Sequence, residues 1–359
     1  MKLKLIALAV AAVASAAASA QTANVTLYGV VDTYIANIKT SSGKTAAGVT
    51  VGGATINAID AGGLSGSRFG FRGSEALGGG LNAVFTLEAG INSDIGTSAQ
   101  GGALFGRQAF VGLNGGFGSV TVGRQYAPIF YVLADADADG LSNFSPVTHQ
   151  MLSNNGAQSP TNLRINNSLV YASPNMGGFG VRGMYGFGES AAGTSAGRNL
   201  GLNATFSNGP IFAGIGYADL KNGAGTSVSR AIVLGGSYDF GAAKLTADYY
   251  TWKNPSTNAK IKSPVVGVNV PFGAASLVAQ FGQFKNSGSL NPFQGKQTVF
   301  NIGGNYALSK RTDTYFRYVS ANNNAASNLD YIGVNGPAIA GTTFGADKRA
   351  IAIGLRHRF

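Results

Sequence analysis

Along most of this chain apolar and polar residues alternate. In the run from Leu81 to Ile91, Ala83, Phe85, Leu87, Ala89 and Ile91 share one face, while Asn82, Thr86 and Glu88 share the other. A period of two marks a strand with one apolar and one wet side. The pattern recurs about sixteen times with no helical period between. Strands are expected at about 24–36, 67–75, 81–92, 105–114, 118–126, 164–173, 178–189, 198–207, 210–220, 229–239, 243–253, 262–271, 274–285, 297–308, 313–321 and 347–359. Seven connections, at 73–80, 114–118, 173–178, 207–210, 239–242, 271–274 and 309–313, are short and rich in turn formers. The others are longer and polar, the largest at about 37–66, 127–163 and 322–346. Short and long alternate, as an up-and-down barrel requires. An even strand number lets the first and last strands pair and leave no open edge. The expected fold is all-β: a 16-stranded antiparallel transmembrane β-barrel with short periplasmic turns and long external loops.

Lipid-facing rows follow from this reading. Leu200, Leu202, Ala204 and Phe206 are expected outside, against Asn199, Asn203, Thr205 and Ser207 within. Phe300, Ile302, Gly304, Tyr306 and Leu308 repeat the pattern against Asn301 and Asn305. Aromatics near strand ends, among them Tyr238, Phe240, Tyr306, Tyr315, Tyr318 and Phe359, suit girdles at headgroup level.

Composition narrows the class. A basic start at Lys2 and Lys4, an apolar stretch from Leu5 to about Val13 and the Ala18-Ser19-Ala20 site predict a cleaved signal peptide over 1–20. The barrel domain would then occupy 21–359. No cysteine is present, so neither disulfides nor thiolate metal sites are expected. Glycine, at 54 residues, is about twice its usual share, and has uses in turns and where tilted strands crowd. The net charge is +11, or +9 once Lys2 and Lys4 are removed. Its basic residues are scattered rather than clustered, which argues against nucleic acid. Inside a water-filled tube the same surplus would attract small anions.

Parity then assigns the charged residues. In Ser67-Arg68-Phe69-Gly70-Phe71-Arg72-Gly73 two phenylalanines alternate with two arginines. An arginine facing lipid near the midplane costs about 2–4 kcal/mol, so Arg68 and Arg72 are expected inside. Arg68, Arg107 and Arg164 open the second, fourth and sixth strands and should stand at similar height, with Glu88 between the first two. Arg182 and Asp32 are further lumen candidates, and Arg124 is open to either side. The arginines could stiffen the wall by ion pairs and still carry permanent charge into a lumen. Asp135, Asp137 and Asp139 lie in the long 127–163 loop. Folded inward, they would oppose the arginines across the narrowest point; left in solvent, they would have no such role.

Several stretches resemble a known family. They are Val25-Thr26-Leu27-Tyr28-Gly29-Val30-Val31-Asp32, Ser67 through Glu75, Gly106 through Leu113, Gly123-Arg124-Gln125-Tyr126 and Asn166-Asn167-Ser168. In this order they are similar to Gram-negative general diffusion porins of the beta-proteobacterial branch. The ending Gly354-Leu355-Arg356-His357-Arg358-Phe359 resembles that family's assembly signal. The resemblance implies an outer-membrane homotrimer, one pore per subunit, with the third external loop, 127–163, folded inward to constrict it. It also implies contact with outer-membrane lipid and lipopolysaccharide and with the assembly machinery, which would read Phe359. Arg68, Arg107 and Arg164 match positions of the family's basic cluster, whereas the loop lacks the Pro-Glu-Phe-Gly-Gly run of the enterobacterial branch.

Other signals are set aside. Gly178-Phe179-Gly180-Val181-Arg182-Gly183 imitates a dinucleotide fingerprint but leads into a strand, not a helix. Asp135-x-Asp137-x-Asp139-Gly140 imitates the opening of a calcium loop, yet Pro146 stands where its bidentate Glu belongs. A barrel enzyme would need a nucleophile and a base, and the only histidines are His149 and His357. A solute-selective channel would add a track of stacking aromatics or lysines, and an adhesin would use its loops. The expectation is a passive channel for small hydrophilic solutes with moderate anion preference, not an enzyme, without cofactor or metal.

Overall fold

The computed structural model describes residues 24–152, 164–288, 295–331 and 343–359. The expected signal peptide at 1–20, the 153–163 end of the third loop and part of the last external loop lie outside the described residues. The wall has sixteen strands: β1 (Asn24–Thr40), β2 in two pieces (Ala54–Ala61 and Arg68–Gly78), β3 (Leu81–Asn92), β4 (Gln108–Gly115) and β5 (Gly118–Tyr126). They continue as β6 (Arg164–Ala172), β7 (Phe179–Gly186), β8 (Asn199–Asn208), β9 (Ile211–Lys221), β10 (Val228–Asp239) and β11 (Lys244–Asn254). The last five are β12 (Ala259–Phe272), β13 (Ala275–Ser287), β14 (Gly295–Ala307), β15 (Thr312–Asn323) and β16 (Lys348–Arg358). Neighbours pair antiparallel around the ring, and β1 meets β16 from Val30↔Arg358 to Thr40↔Lys348. Gly29 and Phe359 exchange both backbone hydrogen bonds, at 3.0 and 3.1 Å, and complete the closure. No backbone edge is left to satisfy in lipid, which is why a spanning sheet must close.

The outer face is as the alternation predicts. Ile215, Ile232, Leu234, Val266, Phe281, Phe300 and Ile353 are exposed, while their odd or even partners are covered. Tyr315 is the exception among the expected girdle aromatics. It points inward, buried, and donates 2.6 Å to Asp32. Arg317 shares its parity and cannot face lipid, so Phe316 and Tyr318 take the outside instead.

The first loop is shorter than expected. Residues 37–40 and 54–61 belong to β1 and the upper piece of β2, leaving only 41–53 as connection. Between the two pieces of β2, residues 62–67 bulge inward over Asp32. Its carboxylate accepts the Leu64 and Ser65 amides, each at 2.8 Å, and Ser67 brackets its backbone. Asp32 therefore faces inward as expected, but it is sealed with no exposed surface and does not line open space. Three buried donors, those two amides and the Tyr315 hydroxyl, require an acceptor there, so its role is to hold the bulge.

The chain between β5 and β6 runs inside the barrel. It forms α1 (Pro128–Asp135) and α2 (Pro146–Leu152). Ala127, Ile129, Val132, Leu133, Val147 and Met151 pack against inward residues of β9–β12, including Ala218, Ala231, Val233, Tyr250 and Ile261. The inner wall there is apolar, not wet as strict alternation would have it. Close approach depends on missing side chains. A Cβ on Gly201 would come within 2.6 Å of Pro128, on Gly235 within 2.8 Å of Ala136, on Gly267 within 2.7 Å of Ala138 and on Gly282 within 2.7 Å of Pro146. Part of the glycine excess is thus a track on which this segment lies. Asn143 adds a hydrogen bond of 2.8 Å to the carbonyl of Gly63 in the β2 bulge.

Candidate functional site

With one side of the interior filled by the inward segment, two joined cavities lie between that segment and the wall of β1–β7. An upper cavity of about 570 Å³ is lined by Arg68, Glu88, Arg107 and Arg164 from the wall and by Ala134, Leu141, Thr148 and Met151 from the segment. A lower one of about 460 Å³ is lined by Thr26, Arg72, Thr121, Tyr131 and Arg182. Gln108 and Tyr126 line both, so the two adjoin there.

The upper group is tightly connected. Glu88 on β3 accepts Arg107 Nε at 2.8 Å and Tyr28 Oη at 3.1 Å, and lies 3.7 Å from Arg68 Nε. Arg107, one residue ahead of β4, and Arg164, the first of β6, both donate 2.9 Å to the Tyr126 phenol oxygen. The Arg164 guanidinium also lies over the Tyr126 ring at 4.7 Å. A bulge in β6, where Ile165 pairs with Gln125 but Ser168 with Gly123, takes up Asn166 and Asn167 and sets Arg164 beside Tyr126. Lower down, Arg182 stacks at 3.7 Å on Tyr131 from α1, and Arg72 lies 5.1 Å from the Tyr28 ring. Each guanidinium is held in place by a carboxylate, a phenol or an aromatic ring, and together they form a fixed array of charge that cannot be deprotonated.

The loop aspartates do not face these arginines. Asp139 forms a buried ion pair with Arg317 on β15, at 2.5 and 3.0 Å, and accepts Asn301 at 3.0 Å. Asp137 accepts Ser145 at 3.0 Å, the Leu141 amide at 2.5 Å and the Gln280 side chain. Both carboxylates bind the segment to β13–β15, away from the arginine side, which corrects the expectation of a transverse acid-to-base field. The reason is energetic. An acid on a loop that packs into an apolar lumen must find a partner, and Arg317 is the wholly buried cation within reach. Only Asp135 stays exposed; a further cavity of about 480 Å³, on the side of β10–β12, β14 and β16, is lined by all three loop aspartates and Asp239 together with Lys244 and Arg356. Burial pushes the Asp135 carboxyl upward. His149, on α2, is buried between Phe284 and Tyr331, and burial pulls it down to about 3, so it stays neutral.

Arg124 is resolved to the outside. It pairs across from Ala109 on the outward parity, and its guanidinium donates to Gly106 O at 2.8 Å and Asn166 Oδ1 at 2.5 Å. The 178–183 glycine run forms a turn and the start of β7, with no helix to hold a pyrophosphate. Among the described residues no group of three or more acids or histidines is placed to hold a metal ion. Sequence reasoning missed Tyr126 as the shared acceptor and Arg317 as the anchor. Arg317 was within reach, because its parity between Phe316 and Tyr318 admits only an inward side chain.

A closed wall of sixteen strands, apolar without and enclosing a basic passage beside an inward loop, defines an outer-membrane barrel of the porin type. The chain belongs to the Gram-negative porin family, whose model matches residues 7–326. It is a multi-pass β-barrel of the cell outer membrane. It is 34% identical over 226 residues to outer membrane porin protein 32 of Delftia acidovorans, covering 62% of this chain and 60% of that one. It is 31% identical over 224 residues to an outer membrane porin protein of Bordetella pertussis, covering 61% and 57%. The alignments therefore span less than two thirds of these relatives. Among solved structures it is similar to an anion-selective porin from Comamonas acidovorans, with a TM-score of 0.78 and 30% identity. That match covers 94% of this chain and 100% of the other.

The anchor generates two predictions. Asp139→Ala leaves Arg317 buried without its partner, a loss of about 3–5 kcal/mol. The segment should then detach, seen as faster proteolysis within 127–152 and noisier single-channel current. Asp139→Leu with Arg317→Met should restore quiet current, and persistent noise would contradict the ion-pair account. The second concerns pH. Burial, and then the adjacent Asp139 carboxylate, push Asp137 up to about 6 from an ordinary 3.8. Between these values the folded chain holds a proton that the unfolded chain releases, so this contribution is full below the lower value and is lost as pH rises through about 6. Hydrogen exchange at Asp139 and Leu141, corrected for base catalysis, should quicken as pH rises from 3.8 to about 6 and level off above it. Asp137→Asn should remove the step, whereas unchanged exchange across that range would refute it.

Proposed function

We propose that the protein is a passive diffusion channel for small hydrophilic solutes and ions, with a preference for anions, and not an enzyme. The observation that carries this reading is the sign of charge along the passage. Arg68, Arg107 and Arg164 stand in the upper cavity with Glu88 and Asp60, and Arg72 and Arg182 in the lower one without a carboxylate. With Asp137 and Asp139 turned to the far wall, the loop side opposite the arginines contributes Ala134, Leu141, Thr148 and Met151, none of them charged. A narrow aqueous path with fixed positive charge on one side and neutral groups on the other lowers the energy of an anion and raises that of a cation. On this reading Arg68, Arg72, Arg107, Arg164 and Arg182 are the pore-lining basic residues. Glu88 positions two of them, and the inward segment sets the constriction. The family relatives are porins, and the solved neighbour from Comamonas acidovorans is described as anion-selective, both in keeping with this.

The working form would be a homotrimer. An outward Arg124 beside exposed Val120 and Val122 is costly against lipid and suited to a protein neighbour, so the wall of β4–β6 would face a second copy. A similar barrel, OmpT of Vibrio cholerae, is recorded in a trimer form, although at 15% identity it speaks to fold alone. Export by a signal peptide cleaved after residue 20, insertion by assembly machinery that reads Phe359, and contact with lipid and lipopolysaccharide complete the proposal.

In planar bilayers under a salt gradient, the reversal potential should have the sign of anion preference. Arg68→Gln with Arg107→Gln should lower the anion-to-cation permeability ratio by roughly twofold or more. Cation preference in the parent, or an unchanged ratio in the variant, would contradict the charged-wall reading and leave the barrel intact.

A further inference from the structure

Most apolar side chains that point into the barrel lie under the inward segment. Val84 on β3 and Phe110 on β4 are different. Both have inward parity, Val84 with Thr86 and Phe110 with Gln108, and both line the lower cavity of about 460 Å³. Neither is buried, and Phe110 stands directly across from Thr86. Tyr131 of α1 lines the same space from the segment side. A ring on a wetted wall leaves apolar surface that a passing inorganic ion cannot cover.

The cations of this cavity are also held differently from those above. Arg107 donates to Glu88 and Tyr126, Arg164 donates to Tyr126, and Arg68 has Glu88 at 3.7 Å. Arg72 and Arg182 are oriented by rings alone, at 5.1 Å from Tyr28 and 3.7 Å from Tyr131. Among the described residues neither makes an ion pair or a hydrogen bond. A guanidinium set by a ring keeps its planar fork of N–H donors free, the geometry that binds a carboxylate through two parallel bonds. No carboxylate lines the cavity to compete for it. Asp135 acts on Arg182 through space, but it lines the other cavity and forms no ion pair with it.

We propose that the lower cavity is a subsite for small aromatic carboxylates, with benzoate as the simplest case. The carboxylate is taken by the free fork of Arg72 or Arg182, and the ring lies against Phe110, Val84 and Tyr131. The inference rests on the channel reading and names a class of solute for it. A cavity of about 460 Å³ is far larger than chloride needs and is of the size that holds small organic ligands. Apolar groups with a few convergent donors are the lining such a ligand requires. The upper cavity, with Glu88 and Asp60 beside its arginines, sorts solutes by charge. The lower one sorts them by charge and apolar area together. Its site is open at the side, so binding is weak enough for the solute to leave.

The test reads the chloride conductance of the full protein in planar bilayers at fixed ionic strength and pH 7. The probes are benzoate, acetate, which lacks the ring, and benzamide, which lacks the charge. Benzoate should halve the conductance at a concentration about tenfold or more below that of acetate, and benzamide should not block. Phe110→Thr should raise the half-blocking concentration of benzoate about fivefold or more and move acetate far less, while Phe110→Tyr should stay close to the parent. Arg72→Gln with Arg182→Gln should raise it about tenfold or more. Equal block by benzoate and acetate, block by benzamide, or an unchanged benzoate value in the Thr or Gln variants would each overturn the proposal. The comparison of the three probes on the parent decides the matter even if a variant does not fold. Saturation-transfer NMR on the protein folded in detergent reads benzoate binding without current. A parent that binds benzoate in this way yet prefers cations would sink the anion-channel reading alone. A parent that prefers anions but treats benzoate and acetate alike would sink only the subsite.

Discussion

The segment from Ala127 to Leu152 has to lie inside the tube, and most of what the molecule can do follows from how it is seated. Its apolar side chains, Ile129, Val132, Leu133, Val147 and Met151, would be costly in water and find a matching apolar strip on the inner faces of β9–β12. Glycines at 201, 235, 267 and 282 let the backbone come close. The Asp139–Arg317 pair and the Asp137 hydrogen bonds fix its place along the wall. Remove the seat and the interior becomes a wide, uniform tube. Keep it, and the interior is divided, with the arginine-lined passage running along one side of it.

This arrangement separates two uses of charge. Arg317 and Asp139 are buried and neutralise one another, so they contribute structure and little field. Arg68, Arg107 and Arg164 are only partly neutralised, by the single carboxylate of Glu88, while the Tyr126 phenol merely accepts hydrogen bonds, and they remain next to open space. Their spread over β2, β4 and β6, with Glu88 on β3 between them, is a product of strand parity and pairing. Tyr126 joins the two parts: its hydroxyl holds two of the arginines, while its ring stacks on Phe130 of α1 at 4.1 Å. A shift of the inward helix would therefore be felt at the arginines.

Much of this was legible in the chain. The alternation at 81–91 and 300–308 is a direct imprint of a wall with lipid on one side, and Phe69 and Phe71 fix the parity of Arg68 and Arg72. The outside could be read because lipid imposes a single rule on every strand. The inside could not, because there the rule differs from place to place. Ala218, Val233 and Ile261 are apolar inward residues, and they make sense only once the segment that covers them is known. The same gap hid the aspartates. Asp135, Asp137 and Asp139 look alike in sequence, and only partners far along the chain, Gln280 for Asp137 and Arg317 for Asp139, separate two buried anchors from one exposed acid. The two-piece second strand was hidden too, since nothing local to Ala54–Ala61 announces that residues 62–67 fold over Asp32.

The division of the interior is the claim on which the rest depends, and the absence of cysteine makes it measurable. Single cysteines at inward positions can be exposed in turn to a charged, membrane-impermeant thiol reagent. Ser74 and Thr86, on the open side, should react readily, while Ala218, Ala231 and Val233, under the inward segment, should stay silent in the folded barrel. Ready labelling at Ala231 and Val233 would mean that the segment does not cover that wall, and the confined basic passage would go with it.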